Sequence, residues 1–225
     1  MTARTNARLA GFTFLFYIIL GIAGMVLFTA ATGGQDTAAT LASIASHRFA
    51  MGLSVVCGLL TILSALILGV TLYALTRDED ADLALLALTC RVVEGAANVF
   101  PVIAMVALIW IADTATSAAS DPAAANGMAG LLIKVQNWSI TVGATLFAIG
   151  STIYSCLFLR ARTIPRWLAQ LGIISSILVG LVIPMDGVGL LKGLPVGLVW
   201  FPMLVFEVGL ALRLLSKGTT PRPAA

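Results

Sequence analysis

Residues 9–31, "LAGFTFLFYIILGIAGMVLFTAA", form an uninterrupted apolar segment without a single charged side chain. At a rise of ~1.5 Å per residue, a helix of this length crosses the ~30 Å hydrocarbon core of a bilayer. A secretory signal sequence, by contrast, has an apolar core of only ~7–15 residues. We therefore interpret the segment as the first membrane-spanning helix, retained in the mature protein, and not as a cleaved signal.

Five more apolar segments follow, and the composition agrees with a membrane protein. The chain is 60% hydrophobic and 10% charged, whereas a soluble domain carries ~25% charged residues. We predict one all-α integral membrane domain over residues 1–225, a compact bundle of six transmembrane helices. The helices are predicted at about 9–31, 49–75, 83–111, 128–159, 167–184 and 196–215, with a disordered tail over 216–225.

The basic residues outside the apolar segments predict an orientation. If the N-terminus is cytoplasmic, nine basic residues lie on the cytoplasmic side and two, Arg48 and Lys192, lie outside. The nine are Arg4, Arg8, Arg77, Arg160, Arg162, Arg166, Arg213, Lys217 and Arg222. Because positive charge is retained in the cytoplasm, we predict a multi-pass protein of the inner (cytoplasmic) membrane with both termini cytoplasmic. These residues flank helices instead of forming a patch, so no nucleic acid partner is expected.

The cysteine and histidine content argues against a disulfide framework and against a metal site. Cys57, Cys90 and Cys156 all lie in apolar segments, where a free cysteine is usually a small buried hydrophobe. The chain has one histidine, His47, whereas metal sites need several clustered ligands. We predict free thiols, no metal and no cofactor.

Three segments together resemble a known family. They are "ARLAGF" at residues 7–12, "CRVVEG" at 90–95 and "FAIGSTIYSCLFLRARTIPRWLAQLGI" at 147–173. Their order resembles the bacterial multi-pass membrane protein family called domain of unknown function 4386, over most of the chain. The resemblance implies a bacterial membrane protein, and it implies neither an activity nor site residues.

The third apolar segment contains an unexpected group of polar residues. Arg91, Glu94 and Asn98 are spaced i, i+3 and i+7, so they share one face of a continuous helix. Glu94 lies about 16 Å along the helix from Leu83, close to the midplane of the bilayer. An ionisable group there costs at least ~2.5–3.5 kcal/mol, so it is expected to be paired or functional.

Two residues on other helices are expected at a similar depth. Glu207 lies ten residues before Lys217, about 15 Å along the helix, and Tyr17 lies about 13 Å beyond Arg8. We therefore predict a buried polar cluster of Arg91, Glu94, Asn98, Glu207 and Tyr17. An internal Arg91–Glu94 salt bridge that only fixes helix packing is an equally open interpretation.

Three classes of function stay open at this point. The first is a non-enzymatic binding, sensory or accessory protein, which is compatible with a small apolar or lipid ligand and with a homo-oligomer. The second is a small proton-coupled transporter that uses Glu94 and Glu207. The third is an intramembrane enzyme that acts on a lipid or isoprenoid with a glutamate as general acid. No nucleophile–base pair or phosphate-binding loop supports the enzyme, and the catalytic residues stay unknown.

Overall fold

The computed structural model describes residues 2–115, 121–191 and 196–218. It is all-α in this part of the chain, and it contains six helical segments that are long and apolar enough to cross a membrane. These candidate spans are Ala3–Ala31, Arg48–Thr76, Ala81–Ala115, Pro122–Ala161, Arg166–Gly187 and Gly197–Ser216. The prediction of an all-α polytopic membrane protein is confirmed.

The described residues form eight α-helices. They are α1 (Ala3–Ala31), α2 (Thr37–Ser46), α3 (Arg48–Thr76), α4 (Ala81–Ala97), α5 (Val99–Ala115), α6 (Pro122–Ala161), α7 (Arg166–Gly187) and α8 (Trp200–Ser216). A short 3-10 helix, Val196–Val199, precedes α8.

The third span is interrupted, where the sequence predicted one helix over 83–111. Helix α4 ends at Ala97, and α5 begins at Val99. Pro101 lies four residues after Ala97 and has no N–H to donate to that carbonyl, while its ring crowds the same oxygen. The break at Asn98 therefore follows from the proline.

The polar connections contain more helix than predicted, because capping residues decide where these helices begin. The predicted loop after the first span contains α2, and the Asp36 side chain accepts a hydrogen bond from the Ala39 N–H at 2.8 Å. Helix α6 begins at Pro122 and not near 128. There, Asp121 accepts from the Ala123 N–H at 2.9 Å, and proline suits the first helical position.

Two other predicted boundaries differ by a few residues. Helix α7 continues past Pro184 to Gly187, where a helix end was predicted. Helix α8 ends at Ser216, the first residue of the predicted tail. The rest of that tail from 219 onward, as well as Lys192, lies outside the described residues.

The described residues fall into two compact units, and the first contains parts of all six spans. It comprises the described residues of Met1–Tyr17, Leu63–Gly95 and Thr141–Ala225. Each span contributes buried apolar side chains to its core, including Phe14, Leu72, Ala87, Phe158, Leu168 and Phe206. This unit holds the polar side chains described below.

The second unit comprises Ile18–Ile62 and Ala96–Ile140. Helix α2 packs against α5 in this unit. Its buried apolar core includes Leu41, Ile44, Met51, Met105 and Leu108. At its surface Arg48 Nη1 lies 2.6 Å from Asp113 Oδ1, which joins the start of α3 to the end of α5.

Candidate functional site

A buried ion pair lies on α4 in the first unit. Arg91 Nη1 is 2.8 Å from Glu94 Oε2, and the two residues are one turn apart on the same helix face. Arg91 is only 3% exposed and Glu94 only 1%. The two atoms are close, but they are not aligned as a hydrogen bond, so Glu94 Oε2 has no hydrogen-bond donor among the described residues. The pair is held mainly by charge.

Two aromatic residues enclose this pair. The Tyr17 hydroxyl of α1 donates to Glu94 Oε1 at 3.3 Å, which is long for a bond between oxygens. The guanidinium carbon of Arg91 lies 5.6 Å from the centre of the Tyr17 ring and 5.1 Å from that of Phe147 on α6. Both distances allow a cation–π interaction, which is strengthened when the cation is removed from water.

Glycines on two neighbouring helices leave space for the aliphatic part of the Arg91 side chain. A Cβ added to Gly69 of α3 would lie 3.1 Å from Arg91 Cβ. A Cβ added to Gly150 of α6 would lie 3.2 Å from the Ala87 carbonyl oxygen and 3.7 Å from Arg91 Cδ. A side chain at either position would crowd α4 by a few tenths of an ångström, so the two glycines permit the close packing beside Arg91.

Glu207 of α8 is the second buried acid near the arginine. It is 6% exposed, and it interacts electrostatically with both Arg91 and Glu94. Its Oε1 atom has no hydrogen-bond partner among the described residues. Two carboxyl groups and one guanidinium leave a net negative charge unless one carboxyl carries a proton. The group is therefore able to hold one exchangeable proton.

A small cavity adjoins the arginine on the side of α6. Its volume is about 10 Å³, close to the minimum that holds one water molecule. Its lining includes Arg91, Ser151, Tyr154 and Ser155. Arg91 Nε and Nη2 and Ser155 Oγ are buried polar atoms without a described partner. The space suits one water molecule and excludes an acyl chain.

The structure brings together four of the five predicted cluster residues. Arg91, Glu94, Tyr17 and Glu207 lie in the first unit, within contact or electrostatic range of one another. Asn98 is half-buried at the break between α4 and α5 and belongs to the second unit. The i+7 spacing put Asn98 on the face of Arg91 and Glu94 under the assumption of an unbroken helix.

Three residues of α6 were not predicted as part of the site. They are Phe147 beside the guanidinium, Tyr154, whose hydroxyl donates to the Gly69 carbonyl at 3.0 Å, and Ser155 at the cavity. Their spacing of i, i+7 and i+8 puts them on one helix face. That periodicity was the available signal, but aromatic and serine residues in an apolar helix are usually packing residues.

The chemistry available at this site is limited. Among the described residues no three His, Cys, Asp or Glu side chains lie close enough to hold a metal ion. The three cysteines are free. Ser175 and Ser176 donate to carbonyl oxygens of their own helix, as residues of close packing do. The cluster offers two carboxyl groups, one guanidinium and two tyrosine hydroxyls.

The comparison with known families follows the same helices. Residues 9–218 match the family model described as "Domain of unknown function (DUF4386)". The chain belongs to this family. No curated protein and no solved structure matches the chain. The match confirms the resemblance seen in the sequence. This DUF4386 protein is a multi-pass membrane protein, and its family description gives no activity.

Proposed function

We propose that this protein is a non-enzymatic membrane protein of the binding, sensory or accessory class, and that its polar cluster holds the helices of the first unit together. The observation that supports this proposal is the size of the cavity beside Arg91, about 10 Å³. Ligand sites typically enclose ~300–1,000 Å³. A lipid or isoprenoid substrate has no space there to meet the carboxyl groups.

The proposal includes a location. Most basic residues lie at the helix ends that are predicted on the same side of the membrane as the two termini. This excess supports a location in the inner (cytoplasmic) membrane with both termini cytoplasmic. In this setting the lipid bilayer is the main partner, and contacts with other membrane proteins, including a second copy of the chain, would form on the apolar outer surface of the spans.

One observation favours proton transport as the second candidate. Glu94 Oε2 and Glu207 Oε1 are both buried without a described hydrogen-bond partner. Buried acids of this kind carry protons in many membrane pumps and transporters. This candidate requires water to reach the acids from both sides of the membrane.

Reconstitution of the full chain into liposomes with an entrapped pH-sensitive dye tests both candidates. With an imposed pH gradient, we expect proton entry equal to that of protein-free liposomes, and no change in Glu94→Gln or Glu207→Gln. Glu94→Gln should instead lower the thermal unfolding temperature, because it removes the carboxylate that lies 2.8 Å from Arg91. Proton entry that depends on the protein and is lost in Glu207→Gln would overturn the accessory proposal in favour of transport.

A further inference from the structure

A groove at the start of α1 combines basic and apolar side chains. Its volume is about 570 Å³, within the ~300–1,000 Å³ range of ligand sites. It lies in the first unit, away from the polar cluster, between α1 and the end of α8. Its lining residues are Thr2, Arg4, Thr5, Arg8, Leu9, Phe12 and Leu215.

The polar end of the groove carries uncompensated positive charge. Arg4 and Arg8 are exposed and lie one turn apart on the same helix face. Neither forms an ion pair with any residue that the structure describes. The first turn of α1 contains no acidic residue, and the N-terminal end of a helix is itself positive. An anionic ligand would supply the counter-charge that the described residues do not.

The groove becomes apolar further along the helix. Phe12 lines the groove four residues after Arg8, and Phe16 follows beyond the groove after another four residues, about 6 Å along the helix. Their rings stack with centroids 6.0 Å apart and planes 12° apart. They are 60% and 38% exposed, respectively, and Leu215 of α8 forms part of the opposite wall. Along α1 the charged guanidinium groups come first and the aromatic rings follow. A phospholipid has the same order, with a charged headgroup followed by apolar acyl chains.

We propose that this groove binds one anionic phospholipid, with its phosphate between Arg4 and Arg8 and one acyl chain along Phe12 and Phe16. The inference stands apart from the proposed role of the polar cluster, since the two share no residue. The groove takes its lipid from the leaflet on the side of the N-terminus. If that side is cytoplasmic, it is the leaflet in which anionic lipids attract basic segments.

Native mass spectrometry of the full chain tests this proposal. The detergent-solubilised protein is exposed to equal amounts of phosphatidylglycerol and phosphatidylethanolamine with identical acyl chains. We expect retention of phosphatidylglycerol to exceed that of phosphatidylethanolamine roughly 25-fold, about fivefold for each of the two arginines. Arg4→Gln and Arg8→Gln should each lower this ratio by roughly fivefold, the contribution of one basic residue near an anionic lipid. Arg4→Lys and Arg8→Lys keep the charge and should keep most of the preference.

Arg166→Gln is the matched control, because Arg166 is an exposed arginine at the start of α7 that does not line the groove. It should leave the ratio unchanged, and Phe12→Ala should lower total phospholipid retention. An unchanged ratio in the Arg4→Gln/Arg8→Gln double variant would overturn the proposal. Displacement of phosphatidylglycerol by inorganic phosphate at matched ionic strength would also overturn it, because it would indicate a soluble phosphate ligand.

Discussion

Arg91 shows how a single charged residue is accommodated in an apolar helix. An arginine at the centre of a membrane helix is costly, by ~2.5–3.5 kcal/mol or more. Here the guanidinium has a carboxylate at 2.8 Å and two aromatic rings within 5.6 Å. These contacts offset the cost only while the partners are present. A carboxyl left without its cation would be a buried unpaired charge, which is worse than an apolar residue of similar size.

The high cost of an unpaired buried charge, compared with an apolar residue, gives a prediction for the ion pair. Arg91→Leu and Glu94→Leu should each lower the free energy of unfolding by ~3–5 kcal/mol, because each leaves a buried charge without its partner. The double variant Arg91→Leu/Glu94→Leu should lose much less than the sum of the two, since it removes both charges. Thermal and denaturant unfolding in nanodiscs measures all three variants.

Arg48→Leu provides the control, because the side chain of Arg48 is 62% exposed in its ion pair with Asp113. Its removal should cost at most ~1 kcal/mol, as exposed pairs usually do. Additive losses in the Arg91→Leu/Glu94→Leu variant would mean that the two residues are not coupled, and the burial of each would then need a separate explanation.

The residues of the cluster differ in how far sequence could locate them. Arg91 and Glu94 stand out because charge is rare in an apolar segment, and their i+3 spacing fixes their contact within one helix. Tyr17 and Glu207 required an estimate of depth along separate helices. Phe147 and Ser155 could not be located, because their role depends on which face of α6 meets α4. That choice is made by packing between helices, and the periodicity of α6 alone does not reveal which helix each of its faces contacts.

At the scale of helices, close approach is decided by particular glycines. A Cβ on Gly172 of α7 would lie 2.5 Å from Phe206 Cε2 and 2.5 Å from Ser155 Oγ. A Cβ on Gly11 of α1 would lie 2.7 Å from the Ala211 carbonyl oxygen of α8. Small residues of this kind let backbones approach closely in membrane proteins. Helix α8 therefore packs closely against α1 at Gly11 and against α7 at Gly172.

Gly172→Ala should accordingly destabilise the protein. The new methyl group cannot avoid the buried Phe206 ring without moving α7 or α8, and overpacking of a core costs ~1–3 kcal/mol. Alanine also favours the helix by up to ~1 kcal/mol, so we expect a net loss of roughly 1–2 kcal/mol. Thermal unfolding in nanodiscs measures this loss.

Gly21→Ala is the matched substitution, because a Cβ at Gly21 of α1 meets nothing within 4 Å. It should leave the unfolding temperature unchanged or raise it slightly. If both variants behave alike, close packing at Gly172 is not what limits stability.

Hydropathy and capping predict different parts of these helices. The six spans follow from the length of the apolar segments, which is why all six could be predicted. Helix ends depend on local hydrogen bonds instead. Asp121 and Pro122 start α6 in a segment whose composition suggests a loop, and Pro101 breaks a span whose hydropathy gives no sign of an interruption. Such helix ends can be predicted from the sequence only when the capping residue is recognised.

At the scale of the whole chain, two sets of ion pairs agree with alternating spans. Arg160 at the end of α6 lies 3.6 Å from Glu79 and 3.3 Å from Asp80, in the turn that follows α3. Both segments are predicted on the cytoplasmic side. Arg48 and Asp113 join the start of α3 to the end of α5, and both of these ends are predicted on the outside. Each pair thus joins ends that the basic residues assign to one side.

The assignment of helix ends to the two sides of the membrane predicts which positions a membrane-impermeant reagent can reach. In a background with the three cysteines replaced, Thr5→Cys and Lys217→Cys should be protected from a membrane-impermeant maleimide in intact cells, and both should react after permeabilisation. Gln35→Cys, in the exposed connection after α1, should react without permeabilisation. The physical reason is that the basic residues beside both termini resist transfer across the membrane. Labelling of both terminal positions from outside, with Gln35→Cys protected, would show that the orientation is reversed. Labelling of only one terminal position would show that the number of membrane crossings is odd.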